Sequence, residues 1–120
     1  MTVKTEGYHA GHFIISEANG HRSRQEIIVK AGEVLVAGAV ISKVVATGHW
    51  QGYQNDETAL GATAILFDNV DASAGVVDAV AIVRDAEVNY NDLRWETTED
   101  TGDRDAAIVD LAAAGIIVRK

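Results

Sequence analysis

The chain has 120 residues, the length of one domain, and its 48% apolar content is enough for a core and argues against wholesale disorder. A formal charge of −8, with no basic cluster longer than His21-Arg22-Ser23-Arg24, makes direct nucleic-acid binding a poor expectation, because such binding needs a patch of phosphate-neutralising cations. No cysteine is present, which removes disulfides and thiolate metal sites, and no apolar run reaches the ~18 residues of a membrane span.

Residues 1 to about 20 read as an arm distinct from a body over 21–120. Met1 to Glu6 has no apolar core of the kind a signal peptide carries, and Met1 to His12 has no sustained periodicity. Phe13-Ile14-Ile15 is a short apolar run closed by Ala18-Asn19-Gly20, either a strand offered to another sheet or the first strand of the body. From Gln25 the pattern is strand-like: Glu26 to Val29, Val34 to Val36 and Ala39 to Val45 are short β runs separated by Gly-containing turns. Thr47 to Ala59 is polar and aromatic and reads as a surface loop; Ala62 to Phe67 is another strand.

After the polar turn Asp68 to Gly75, Val76 to Tyr90 reads as one long alternating strand. Val80, Ile82, Arg84, Ala86, Val88 and Tyr90 fall on one face, and Asp85, Glu87 and Asn89 on the other. Asn91-Asp92 can cap a short helical turn through Trp95. The main helix is expected from about Asp103 to Ala114, with Ile108, Leu111 and Ala112 as its apolar stripe and Gly115 as its stop. Ile116-Ile117-Val118 closes the chain as a strand, so the fold class is α+β, mostly β. Such a meander of short strands builds a small barrel-like or sandwich body.

Signals for chemistry are weak. His9-x-x-His12, His21 and His49 lack the rigid four-ligand spacing of structural zinc. Asp68, Asn69 and Asp71 resemble part of a calcium loop, but Gly75-Val76-Val77 stands where the bidentate Glu belongs. The serines have no nucleophile-elbow context, and no Gly-rich phosphate loop is present. The expectation is no enzyme, no metal and no cofactor.

The order of features from Ala62 onward is more distinctive. It runs from the strand Ala64-Ile65-Leu66 through a polar turn to strand residues ending at Tyr90. Asn91-Asp92-Leu93-Arg94-Trp95, an acidic linker, an Ala-rich helix, Gly115 and Ile116-Ile117-Val118 follow. With Ala31 to Ile41, this set resembles the lambda-type bacteriophage head decoration family over about 100 residues. The chain departs from the lambda pattern in having Glu96, not Pro, after Trp95, and no Pro anywhere, so the path of the arm transfers least.

The resemblance implies a β-tulip-like body with a helix against it. It further implies a homotrimer at three-fold or quasi-three-fold positions on the outside of the expanded capsid, made in the host cytoplasm. The partner would be the major capsid protein, and the role that of a cement against DNA pressure. The capsid-binding arm would then carry Val3, Lys4, Thr5, Tyr8, Phe13, Ile14 and Ile15. Trp50 and Tyr53 are candidates either for an interface, where aromatics are enriched, or for capping the barrel end. An alternative from another class is a glycan- or cell-surface-binding module with Trp50, Tyr53, Asn55 and Asp56 as its platform. A third is a small hydrolase using Asp85 or Glu87.

Overall fold

The computed structural model describes residues 10–18, 20, 22–53, 62–95 and 101–120. Strands β2 (Arg24–Val29), β4 (Val40–Lys43), β5 (Trp50–Gly52), β6 (Ala64–Leu66) and β8 (Val77–Ile82) close into a barrel in the order β2-β5-β4-β6-β8. The β2–β8 ladder is the longest, running antiparallel from Arg24↔Ile82 to Val29↔Val77, and closure is completed by the single parallel pair Val29↔Trp50. A small antiparallel pair, β3 (Val34–Leu35) with β7 (Val70–Asp71), stands beside the barrel.

The remaining strands form a separate sheet in the order β1-β9-β10. Here β9 (Ala86–Asn89) is central, β1 (Ile14–Glu17) pairs with it antiparallel, and β10 (Ile116–Arg119) pairs with it parallel. A 3-10 turn at Tyr90–Asp92 follows β9, capped by the Asn89 side chain accepting from the Asn91 N–H, two residues before the cap expected at Asn91-Asp92. Helix α1 spans Thr101–Ala113. Gly115, at φ 93°, reverses the chain from α1 into β10, and a Cβ there would sit 3.2 Å from the Asp85 backbone nitrogen.

The fold is the α+β, mostly β, barrel-like class expected, but its strands differ at three places. The stretch Val76 to Tyr90 is two strands in two different sheets, broken where Asp85 takes φ 52°. Alternation therefore holds in β9, where Ala86 and Val88 are buried and Glu87 and Asn89 are not, and fails at Val80, which is exposed. Strand β5 lies inside the stretch read as a loop, and β7 inside the stretch read as a turn. On α1 the buried stripe is Ala107 and Leu111, one turn apart; Ala112 faces out.

Two hydrophobic clusters fill the molecule. The inner one is the barrel's own, with Ile27, Val29, Ile41, Trp50, Leu66 and Ala81 among its members. The outer one joins Val40, Ile65 and Ile82 from the barrel wall to Phe13, Val88 and Ile116 of the three-stranded sheet and to Ala107 and Leu111 of α1. Neighbouring residues such as Val40 and Ile41, or Ala81 and Ile82, thus enter different cores. The wall of the barrel is buried on both sides along that flank.

Candidate functional site

The segment expected to form the arm divides in the structure. Val3, Lys4, Thr5 and Tyr8 lie outside the described residues. Phe13 is fully buried in the outer cluster, Ile14 is half-buried opposite Val88, and Ile15 is 54% exposed. Residues 10–18 are therefore held in the body, and Phe13-Ile14-Ile15 leads into a strand of the chain's own sheet.

That hold is built from several contacts. The Gly11 N–H donates to the Phe67 carbonyl at 2.9 Å, the Asn89 N–H to the Phe13 carbonyl at 2.9 Å, and the Ala18 N–H to the Asp85 carbonyl at 3.0 Å. Glu17, at the end of β1, accepts from Arg24 Nη2 at 2.6 Å and Nε at 3.2 Å, and from the Ser23 hydroxyl. Arg24 also lies 4.2 Å over the Phe67 ring. This partly buried fork of carboxylate, guanidinium and hydroxyl ties β1 to the start of β2. The sequence reading missed Glu17 and Phe67. It noted Arg22 and Arg24 only as a basic cluster, whereas Arg22 Nε meets Asp85 at 3.3 Å and Arg24 meets Glu17. Their partners are distant enough in the chain that no spacing rule finds them.

Strand β1 is an edge of its sheet, so its outward backbone groups meet no other strand among the described residues. A shift in register between Ile14 and Ser16 interrupts its pairing with β9. Behind it, Glu87 accepts from Ser16 Oγ at 2.8 Å and from Arg119 Nε at 3.0 Å. Arg119 first, then Ser16, holds the Glu87 carboxyl below its ordinary range. Asp71 is held low in the same direction by the Ser73 hydroxyl and backbone N–H.

Trp50 and Tyr53 are core residues, which corrects their expected place in a surface loop. Trp50, on β5, packs in the inner cluster, and Tyr53 in the outer one with its hydroxyl donating to the Asp103 carbonyl at 3.4 Å. Both rings are buried, so neither offers much surface to a partner or to a sugar. Asn55 and Asp56 lie outside the described residues. Among the described residues, no three His, Cys, Asp or Glu side chains come together as a metal site. Asp68, Asn69 and Asp71 serve their own turns instead: Asp68 accepts from the Asn69 N–H, Asn69 from the Ala37 N–H, and Asp71 from Ser73. The carboxylates considered for hydrolysis, Asp85 and Glu87, each face a guanidinium.

Among the described residues, the chain thus presents outward an edge strand and a scatter of exposed aliphatics on a closed β body, with residues 10–18 pinned to that body. No curated protein matches the chain. The family model described as bacteriophage lambda head decoration protein D matches residues 3–116. The chain belongs to the bacteriophage lambda head decoration protein D family.

Proposed function

We propose that this protein sits as a homotrimer on the outer surface of the expanded capsid, at three-fold or quasi-three-fold positions, and stabilises the shell against the pressure of packaged DNA. The observation that carries the reading is the family match over 114 of 120 residues, from 3 to 116. It is supported by a body that pins residues 10–18, with the Gly11 N–H donating to the Phe67 carbonyl at 2.9 Å. Val3, Lys4, Thr5 and Tyr8 are the residues assigned to the major capsid protein. Ile15, exposed on the β1 edge, extends the same surface.

A strand added to a sheet edge gains main-chain hydrogen bonds. A single weak arm holds only at about millimolar strength, roughly −4 kcal/mol. Three arms on one trimer raise avidity by ~100-fold or more, because the second and third contacts are intramolecular. Weak local contacts are then sufficient for a stable cement.

Deleting residues 2–9 tests the arm without touching Phe13. The truncated chain is expected to stay folded and to lose binding to expanded shells by at least ~100-fold, the share contributed by avidity. Undiminished binding would remove the arm from the account. Because Phe13 is core, a longer deletion through residue 14 would confuse lost binding with lost stability.

A further inference from the structure

Residue 10 is bonded to residue 9, so the way the body holds residues 10–12 sets the anchor from which the proposed arm works. Phe13 is buried in the outer cluster and fixes the chain at one point. A second point is needed to fix its direction, and Gly11 supplies it.

The Gly11 N–H donates to the Phe67 carbonyl at 2.9 Å, and the Gly11 carbonyl accepts from the Ile14 N–H at 3.0 Å. A Cβ at residue 11 would lie 2.7 Å from Phe67 Cε2, so the backbone here rests against the edge of that ring. Phe67 follows β6 directly and is tied to β8 by its N–H, which donates to the Val80 carbonyl at 3.0 Å. The ring is thus a seat, built on the barrel, for the chain just ahead of Phe13.

The seat is itself held. The Arg24 guanidinium covers the ring, 4.2 Å from its centroid. Glu17 aims that guanidinium by accepting from Nη2 at 2.6 Å and from Nε at 3.2 Å, and a planar fork bound at two points keeps its orientation. The same carboxylate accepts from the hydroxyl of Ser23, which is fully buried and whose carbonyl accepts from the Val83 N–H at 2.8 Å. The Arg24 and Glu17 side chains are 28% and 19% exposed, against 69% and 49% for Arg22 and Asp85, so solvent screens this pair far less.

We propose that Phe67 is a positioning residue for capsid binding: it seats Gly11 so that residues 10–12 present the arm in one preset direction, with Arg24 and Glu17 holding the ring. The inference rests on the arm reading above and adds what presets the arm. A segment already ordered in the free chain need not be ordered on binding. Each backbone residue that must be fixed at that moment weakens binding by about fivefold or more. Loss of the seat releases the residues ahead of Phe13 and leaves the barrel as it is, so affinity falls while the fold stands.

Two variants of the full chain attack the seat from its two sides. Phe67→Leu keeps apolar bulk but removes the ring, and Gly11→Ala pushes the backbone off the ring edge. Either is expected to quicken amide exchange at Gly11 and Ile14, to leave the β2–β8 amides at their wild-type rates, and to weaken binding to expanded, undecorated shells by about fivefold or more. Glu17→Gln, which acts on the ring through Arg24, gives a smaller loss in the same direction. If Phe67→Leu folds poorly, Gly11→Ala carries the test alone. Faster exchange at Gly11 and Ile14 with unchanged shell affinity would overturn the proposal. So would unchanged exchange at Gly11 once the ring is gone, or a loss of binding that only follows a uniform rise in exchange across the barrel. Deleting residues 2–9 separates the two readings. A deletion that binds undiminished removes the arm and this proposal with it. A deletion that loses binding, beside seat variants that bind like the wild type, overturns the seat and leaves the arm standing.

Discussion

The inner and outer clusters are built from the same barrel strands yet differ in how they are assembled. Among the described residues, the buried members of the inner cluster come from 27–81, with many small side chains, Ala39, Ala64, Ala72 and Ala81, around the ring of Trp50. The outer cluster is stitched across the whole chain, from Phe13 to Ile116, and its larger members arrive from both ends. A closed barrel supplies its own core, so the inner cluster needs no help from the termini. The outer cluster exists only when β1, β10 and α1 dock on the barrel wall. This molecule is therefore most open to perturbation at the docked layer of β1, β10 and α1.

The largest expected effects come from emptying each cluster in turn. Phe13→Ala and Trp50→Ala should each cost about 3–5 kcal/mol, as large-to-small changes in full cores do, read from urea unfolding followed by far-UV and aromatic signals. A single shared transition for both variants would show the clusters to be one cooperative unit. Two transitions in Phe13→Ala, with the barrel melting last, would sharpen the division between them. Leu111→Ala, which undocks the helix stripe, should fall at about 2–5 kcal/mol and resemble Phe13→Ala in its pattern.

Gly38 joins the two layers at backbone level. Its φ is 89°, and a Cβ would lie 2.6 Å from the Asp92 carbonyl oxygen, while its own carbonyl accepts from the Arg94 N–H at 2.9 Å. Gly38→Ala should therefore destabilise by about 1–3 kcal/mol through strain. An unchanged urea midpoint would mean that the turn yields without cost. Glu17→Gln, which leaves Arg24 without its charge partner over Phe67, should cost about 1–3 kcal/mol and loosen β1 before the barrel. Amide exchange on β1 and on β2 would distinguish that order from a uniform loss.

The smallest effect is a pH dependence. The Glu87 carboxyl titrates below its ordinary range because Arg119 and Ser16 favour its charged form. The unfolded chain therefore takes up the proton first, and the contribution of Glu87 is present at neutral pH and fades as pH falls through the carboxylate range. Glu87→Gln should show a shallower loss of urea midpoint between pH 7 and pH 3 than the wild type. Equal slopes would remove Glu87 from the acid response.

How much was legible in the sequence follows from which faces are buried. Short apolar runs at 26–29, 39–45 and 62–67 announced strands, and Gly115 with Ile116-Ile117-Val118 announced the last turn and strand, because local chemistry decides them. Alternation misled where a strand is buried on both sides: Ala81 and Ile82 are both buried, and the break at Asp85 carries no Gly or Pro to mark it. Trp50 and Tyr53 looked superficial because polar residues surround them in sequence, whereas the pairing of β5 with β4 draws them inward. Of the candidate site, the ordered set of features from Ala62 pointed to the family, and Phe13 was read as part of the arm because its burial depends on Val88 and Ile116, far along the chain. Clamps such as Glu17 with Arg24 over Phe67 depend on the closed fold and leave no local signature.

The most direct test of the central claim is to mix the purified full-length chain with expanded, undecorated capsids of its own phage and pellet the shells. Decoration predicts saturable co-sedimentation at a fixed ratio to the capsid protein, with shells that resist heat better than bare ones. Folded protein that remains in the supernatant at all concentrations would contradict it.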